Sequence, residues 1–432
     1  MKLKLKNIGM LKKAEVTLNR LCVIAGENDN GKSTIGKIVF CIVKALNKHK
    51  EELNASKQHE VQEFFEDFYF TLRSHLNDEI DKSARSIVFK QMDLLLREDV
   101  NAETSMQLFD DTWQILMQHN VLSMSDLSFI DEFKQKLISI VEEPEDQKRV
   151  LEREFTKTFV SEFDSQVLFR GADEGSIQLW DDSLKLLELI VDKGNKVSVY
   201  EDAKPILIRD ATFIETPLLL NFYSLLIRSQ TQLDKRGARR LGVPYTTLHT
   251  KDLFDKLIEP PAEFQDLDLL ELIASVIDGE VSYSSTDGDF VYQKEGERIS
   301  IKNTASGIKV FGMLQILVAN DFIDINTLII FDEPENHLHP NWQLKLAKIL
   351  VELANSGVFV IVSSHSPYLI EALERYSEVK GLKDETSFYL AKNNEVENKS
   401  QLPEIFALLS EPFEQLRELD KQVLKDGELI SS

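Results

Sequence analysis

The segment AGENDNGKST, from Ala25 to Thr34, is the most informative stretch of the chain. It follows a short apolar run, Leu21 to Ile24, and leads into the apolar positions of a helix. A strand, a glycine-bounded loop and a helix place backbone N–H groups and the positive end of the helix around a phosphate. Residues 26–33 match the pattern G-x-x-x-x-G-K-S/T in full, and they therefore predict a nucleotide-binding loop.

The residue types of this loop predict individual roles. Gly26 and Gly31 allow the tight backbone, and the Lys32 ammonium reaches the β- and γ-phosphates of a bound nucleotide. The hydroxyl of Ser33 is expected to bind the Mg²⁺ that accompanies ATP. We also assign nucleotide contacts to the remaining polar side chains of the segment, Asn28, Asn30 and Thr34.

An apolar strand that ends in two acidic residues lies far downstream, in NTLIIFDEPENHLHPNWQ. Leu328 to Phe331 form the strand, and an acid at the carboxyl end of a parallel strand faces the same crevice as the phosphate loop. Asp332 is therefore predicted to bind Mg²⁺ through water, and Glu333 to polarise the attacking water as general base. His337 and His339 follow without a third ligand at metal spacing, so the only metal expected is Mg²⁺ carried by the nucleotide.

The next apolar strand, Val358 to Val362, ends in Ser363-Ser364-His365. Taken alone, His365 is most simply a strand-end histidine with satisfied hydrogen bonds. Because it follows the acidic pair by one strand, it is well placed to contact a γ-phosphate, and we assign it a catalytic role.

A second anion-binding helix start is predicted in NTASGIK, residues 303–309. Ser306 and Gly307 supply a hydroxyl and free backbone N–H groups at the beginning of a helix. Many helices begin with serine, so it is the position of this pair, shortly before the acidic strand, that makes it informative.

These four pieces, in this order, resemble the head of an ABC-type ATPase. Residues 26–33 match its Walker A motif, and residues 304–309 resemble a degenerate signature motif. Residues 328–333 match Walker B, and His365 matches the switch histidine. The resemblance implies an α/β fold, namely an ABC-type P-loop ATPase head whose mixed sheet has antiparallel N-terminal strands, with a large helical insertion. It also implies ATP and Mg²⁺ as ligands.

The same resemblance implies a dimer. Ser306 and Gly307 would contact ATP bound to the Walker A loop of a second protomer, so that two heads enclose two ATP molecules with C2 symmetry. Glu335 to His339 would lie in the D-loop at that interface, although the family usually has Asp where His339 stands. Glu215-Thr216-Pro217 is the candidate Q-loop region, but it lacks the expected Gln.

The pattern KLKNIGMLKKAEVTLNRLCVIAGEN, together with DEPENHLHP and SSHSPYLIEAL, resembles the RecF/OLD/SMC-like group, including anti-phage ATPases of the Septu and PARIS systems. OLD proteins carry a C-terminal Toprim nuclease, whereas no nuclease constellation follows His365 here. The leading hypothesis is an ATP-hydrolysing subunit of a bacterial anti-phage defence system. It would form a homodimer or higher homo-oligomer and control a separate effector, a nuclease.

Two alternatives stay open. The first is a RecF-like DNA repair or recombination ATPase that binds DNA directly, which a net charge of -23 from 50 basic and 73 acidic residues disfavours. The second is a non-hydrolysing nucleotide-switch scaffold. Glu333 argues against the scaffold, because a pure switch does not need a water-activating base.

The domain organisation follows from the change in pattern along the chain. Residues 1–40 and 200–432 are predicted to form the ATPase head, including a C-terminal helical element at about 400–432. Residues 41–199 are predicted to form a helical insertion domain, because apolar residues recur there at three- and four-residue steps. Residues 279–302 predict two β-hairpins that turn at Asp287-Gly288 and at Glu295-Gly296.

The composition is ordinary for a soluble protein, with 43% hydrophobic and 28% charged residues. No run of eighteen apolar residues is present, so no membrane span is expected. The two cysteines, Cys22 and Cys41, stand in apolar surroundings and indicate a reduced, cytoplasmic protein without a disulfide framework.

Overall fold

The computed structural model describes residues 1–48, 110, 114, 133–136, 138, 147–201, 203–226, 246–263, 267–396 and 402–430. The chain divides into two compact units, one of Met1–Asn47 with Glu152–Ser432 and one of Lys48–Leu151. In the second unit, the described contacts include an ion pair of 2.6 Å between Lys134 and Asp110. All functional residues predicted from the sequence belong to the first unit.

The described strands and helices are numbered here in chain order. The strands are β1 Lys2–Ile8, β2 Leu11–Thr17, β3 Leu21–Ala25, β4 Glu174–Asp181, β5 Leu184–Asp192, β6 Val197–Glu201, β7 Asp210–Ile214, β8 Glu280–Ser284, β9 Asp289–Lys294, β10 Glu297–Ser300, β11 Thr327–Asp332, β12 Phe359–Ser364, β13 Thr386–Leu390 and β14 Glu395–Val396. The helices are α1 32–48, α2 Gln147–Glu162, α3 Tyr223–Leu226, α4 Leu248–Ile258, α5 Leu267–Ile277, α6 Ser306–Ala319, α7 Pro340–Asn355, α8 Pro367–Val379 and α9 Leu402–Ile430. No described helix is both long enough and apolar enough to cross a membrane.

A five-stranded parallel sheet with the order β13-β3-β12-β11-β7 forms the centre of the first unit. All residues of β3 and β12 are buried, which explains why these strands read as continuous apolar runs and not as alternating patterns. Parallel pairing brings Ser364 beside Ala25 and Ser363 beside Asp332. The carboxyl ends of the strands that carry the predicted motifs therefore lie next to one another.

A separate six-stranded sheet has the order β14-β2-β1-β4-β5-β6, and β1 pairs antiparallel with both β2 and β4. The α/β fold with antiparallel N-terminal strands is thus confirmed. The prediction of helices throughout residues 41–199 is wrong for β4 and β5. The side chains of β4 and β5 largely alternate between buried and partly exposed positions with a period of two. β4 pairs with β1, which lies far upstream in the sequence.

The two predicted hairpins form a three-stranded sheet, β10-β9-β8. Glu295 and Gly296 both have positive φ, 50° and 85°, which is the geometry of the two-residue type I′ turn. Gly288 also has a positive φ of 61°. The sheet packs on α6, where Gln315 accepts a hydrogen bond of 2.7 Å from the backbone of Val281.

Two buried lysines and two partly exposed aspartates form a charged network at the amino end of β7. Lys44 of α1 lies 2.5 Å from Asp210 and 2.7 Å from Asp252. Lys256 of α4 lies 2.6 Å from Asp210 and 3.2 Å from Asp252. Burial alone would raise the pKa of Asp210, but the two lysines outweigh it and hold that pKa below its ordinary value. The network joins the helix of the phosphate loop to the edge of the parallel sheet.

Candidate nucleotide site

The phosphate loop, residues 26–33, has the backbone that its glycines predict. Gly26 and Gly31 have φ of 151° and 85°, a region that other residues rarely adopt. A Cβ at Gly31 would lie 2.6 Å from Leu11 Cδ2, and a Cβ at Gly26 would collide with the carbonyl oxygen of Ala391. Both positions therefore require glycine for conformation and for space.

Lys32 is buried at the start of α1 and reaches the acidic end of β11. Its Nζ lies 3.1 Å from Glu333 Oε1 and donates a hydrogen bond of 2.8 Å to the carbonyl of Glu27. Glu333 has a left-handed backbone, with φ of 48°, a strained conformation that is typical of functional positions. Burial alone would raise the pKa of Glu333, but hydrogen bonds from Asn336 and Lys32 and the Lys32 charge lower it below its ordinary value. Glu333 is therefore ionised at neutral pH.

Asp332, at the carboxyl end of β11, lies between two serine hydroxyls. Ser33 Oγ donates a hydrogen bond of 3.0 Å to Asp332 Oδ1, and Ser363 Oγ donates to the same oxygen. Burial raises the pKa of the Asp332 carboxyl, and the two hydrogen bonds offset part of that rise. The group offers only oxygen ligands, which Mg²⁺ prefers, and Mg²⁺ is commonly held by one carboxylate, a hydroxyl and phosphate oxygens. These residues therefore fit the predicted ion.

His365 follows β12 and lies between two carboxylates. Its Nδ1 is 3.6 Å from Glu333 Oε1 and 3.4 Å from Glu335 Oε1. The structure thus brings together Lys32, Glu333 and His365, which the sequence predicted from three separate motifs. Their proposed catalytic and binding roles stay predictions.

The remaining polar residues of the loop make local contacts. Asn30 Nδ2 donates to the carbonyl of Asn28 at 3.3 Å, and Thr34 Oγ1 accepts a hydrogen bond of 3.3 Å from the backbone of Met10. Thr34 therefore ties α1 to the turn between β1 and β2. A cavity of about 730 Å³ opens beside this contact, with Ser33, Thr34 and Lys37 in its wall. The cavity lies next to the phosphate loop.

Ser306 and Gly307 begin α6, as the sequence predicts, but within this chain Gly307 is a packing position. A Cβ there would lie 2.5 Å from Cζ3 of Trp342, and Leu338 closes the other side. Because α6 lies so close to the start of α7, packing alone requires glycine at position 307. The contact of this pair with ATP on a second protomer stays a prediction.

The candidate Q-loop residue Glu215 directly follows β7, beside the acidic end of β11. Its Oε2 lies 3.1 Å from Nε2 of His249, whose Nδ1 lies 2.6 Å from the fully buried Glu162. Burial lowers the pKa of His249, but hydrogen bonds to Glu162 and Glu215 outweigh it and raise that pKa to about 9. The imidazolium therefore holds Glu215 in place at neutral pH.

Sequence reasoning missed several residues of the site. No role was predicted for Ser363, which donates a hydrogen bond to Asp332, or for Asn336, which donates one to Glu333. Glu335 was expected at a dimer interface, yet its carboxylate is buried against the turn after β12. His339, whose role was open, accepts a hydrogen bond of 3.3 Å from the backbone of Asn341 and caps α7. The side chain of His337 lies outside the described part of the chain.

Replacement of Asp332 with Asn should weaken Mg²⁺ binding in the presence of nucleotide by roughly ten- to hundredfold, as expected for a residue that holds a metal through water. The amide keeps the size of the side chain but removes the anionic oxygens. Calorimetric titration of Mg²⁺ into nucleotide-loaded protein measures the change. Asp321→Asn is the matched control. Asp321 is exposed and precedes the amino end of β11, whereas Asp332 stands at its carboxyl end. The left-handed backbone of Asp321, with φ of 61°, tolerates Asn. Equal Mg²⁺ affinity in Asp332→Asn and wild type would remove Asp332 from the metal site.

A comparison with known families decides the class of protein. The model of the family described as "AAA ATPase domain" matches residues 1–370. The chain belongs to this family. As an AAA ATPase domain protein it is expected to use a nucleotide, which agrees with the phosphate loop and the acidic strand end.

The comparison with curated proteins connects this AAA ATPase domain protein to the Old nuclease of Escherichia phage P2. The two are 41% identical over 59 residues, which is 14% of this chain and 10% of the nuclease. The match thus spans a tenth of that nuclease. Together with the family match, it confirms the resemblance to an OLD/SMC-like ABC-type ATPase.

Solved structures give a more distant likeness. The SMC head domain from Thermotoga maritima has a TM-score of 0.38 and 9% identity, with 93% of this chain and 98% of that chain covered. The SmcHead bound to the C-winged helix domain of ScpA has a TM-score of 0.39 and 12% identity, with 94% and 98% covered. Because both TM-scores are low, the fold of this AAA ATPase domain protein is assigned from its own strand order and from the family match.

Proposed function

We propose that this protein hydrolyses ATP and uses the cycle of ATP binding and hydrolysis to control a separate nuclease in a bacterial anti-phage defence system. The observation that carries the ATPase part is the convergence of Lys32 and Ser33 with Asp332, Glu333 and His365 at adjacent strand ends. The Lys32 ammonium is suited to bind phosphates, and the Ser33 hydroxyl is suited to bind a metal ion. The Glu333 carboxylate and the His365 imidazole are suited to transfer protons to or from water.

The residues of the chain divide the work of hydrolysis. Lys32 leaves its ion pair with Glu333 to neutralise the phosphates, so the Glu333 carboxylate loses its closest cation and becomes a stronger base. Glu333 then accepts a proton from the attacking water, and His365 lies within reach of the same carboxylate. Mg²⁺ held by Ser33 and Asp332 would neutralise charge on the phosphate oxygens.

A head-to-tail homodimer is part of the proposal. Ser306 stands at the first residue of α6, so its hydroxyl and the following backbone N–H groups form a helix start suited to the γ-phosphate of a partner's ATP. The proposal of a nuclease as effector takes its support from the partial match to the Old nuclease.

Light scattering with and without ATP and Mg²⁺ tests the assembly, on protein isolated together with the product of its neighbouring gene. We expect the mass to double with ATP, and we expect a second, nuclease-like chain in the particle. Ser306→Arg should bind ATP but stay monomeric, because the long side chain blocks the partner's phosphates. A chain that stays monomeric and alone under all conditions would overturn the proposal. An ATP-dependent dimer that shifts DNA without a second chain would favour a repair ATPase instead.

A further inference from the structure

The buried carboxylate of Glu335 has no role in the catalytic arrangement described so far. Its side chain is 4% exposed, and it belongs to the short turn that follows Glu333. Burying a carboxylate costs free energy unless hydrogen bonds and charges compensate. The hydrogen bonds that compensate for the burial of Glu335 therefore indicate what this side chain does.

The described hydrogen bonds to the Glu335 carboxylate all come from one short segment. Its Oε1 accepts from Ser364 Oγ at 2.7 Å, from the backbone N–H of His365 at 2.7 Å and from that of Ser366 at 3.1 Å. Ser366 in turn caps α8, because its Oγ accepts from the backbone of Leu369 at 3.4 Å. The carboxylate therefore fixes the turn between β12 and α8, and with it the backbone of His365.

Two buried polar atoms in this region have no hydrogen-bond partner among the described residues, Glu335 Oε2 and His365 Nδ1. Buried polar atoms are nearly always paired in proteins. Nδ1 already lies 3.4 Å from the other oxygen of the same carboxylate. The unpaired Nδ1 therefore faces the same carboxylate that accepts a hydrogen bond from the backbone N–H of His365.

The neighbours of Nδ1 also determine which ring nitrogen carries the proton. Ionised carboxylates only accept hydrogen bonds, so a nitrogen that faces Glu333 and Glu335 must be a donor. In a neutral imidazole with the proton on Nδ1, Nε2 carries a lone pair and can accept a hydrogen bond on the other side of the ring.

We propose that Glu335 is a positioning residue for His365: it fixes the turn that carries the imidazole and holds a proton on Nδ1. Glu335 acts through His365 and needs no contact with the nucleotide. The proposal depends on the ATPase function proposed above, in that the kinetic effect exists only if the protein hydrolyses ATP.

The substitution Glu335→Gln separates positioning from folding. The amide keeps the size of the side chain and an oxygen that can accept from Ser364, His365 and Ser366, but it removes the charge that selects the tautomer. We expect an unchanged thermal midpoint and an unchanged KM for ATP, with kcat lower by about tenfold or more. In a His365→Gln background, Glu335→Gln should change kcat by less than about twofold, because the residue that it positions is gone.

Nitrogen-15 spectra of histidine-labelled protein give a readout that does not need activity. In wild type, the His365 signals should show the proton on Nδ1, and in Glu335→Gln a substantial share should move to Nε2. The His249 signals in the same spectra serve as an internal control for an intact fold. Unchanged His365 signals in the variant, or equal kcat losses in both backgrounds, would overturn the proposal. A wild type without ATPase activity but with the expected change in spectra would refute the proposed function and leave the positioning role intact.

Discussion

Replacement of Glu333 with Gln should lower kcat for ATP hydrolysis by about 10²- to 10⁴-fold, the usual contribution of a general base. The amide has the same shape and can still accept a hydrogen bond from Lys32, but it cannot accept a proton from water. ATP binding should persist or tighten, because Lys32 no longer has a carboxylate 3.1 Å away that competes with the phosphates. Single-turnover hydrolysis and equilibrium ATP binding measure the two effects separately.

The control for this prediction is Glu352→Gln. Glu352 also pairs with a lysine, Lys380 at 2.7 Å, but lies on α7 about 18 Å along the helix axis from Pro340. It should leave kcat and ATP binding at wild-type values. If Glu333→Gln binds ATP and still hydrolyses it at the wild-type rate, Glu333 is not the base. If the variant neither binds nor hydrolyses, Glu333 acts mainly by holding the phosphate loop in place.

Replacement of Lys256 with Met should destabilise the first unit by about 3–5 kcal/mol, the usual cost of removing one partner from a buried ion pair. Lys256 holds Asp210 and Asp252 together and donates hydrogen bonds to the carbonyl of Ala211 and to Thr212 at 2.9 and 2.7 Å. Without it, two carboxylates share Lys44 alone and two acceptors on β7 lose their donor. Calorimetric unfolding measures the loss.

Lys251→Met on the same helix is the matched control. Lys251 forms an i,i+4 pair of 2.7 Å with Asp255, which is 52% exposed, so its removal should cost no more than about 0.5 kcal/mol. In the double variant Lys256→Met/Asp210→Asn, the loss should be smaller than the sum of the two single losses, because the second change removes one of the stranded charges. Equal effects of Lys256→Met and Lys251→Met would show that the network contributes little to folding.

Much of the nucleotide site could be predicted from the sequence, because its parts are local patterns with a fixed physical meaning. The phosphate loop needs glycine at set positions, and a continuous apolar run followed by an acid marks the end of a buried parallel strand. These signals also predicted the strands β11 and β12 and the helix start at Ser306. The hairpins of β8 to β10 followed from two short turns.

The parts that could not be predicted depend on partners distant in the sequence. β4 and β5 alternate as strands should, but helical stripes earlier in the same region dominated the interpretation, and nothing local indicates that β4 pairs with β1. The roles of Ser363 and Glu335 likewise arise only when β12 lies beside β11. His249 stands beyond a polar segment, and only the packing of α4 brings it between Glu162 and Glu215.

The strand order of the parallel sheet also determines when β3 can first pair with its neighbours during translation. β3, which leads into the phosphate loop, pairs only with β12 and β13 in that sheet, and both are encoded more than three hundred residues later. At typical translation rates this interval lasts roughly 15–70 s, during which β3 leaves the ribosome with neither neighbour available. During that interval both edges of β3 lack their partners in the parallel sheet, and the nucleotide site beside them is incomplete. The phosphate loop is therefore translated early, whereas the two strands that flank β3 are translated late.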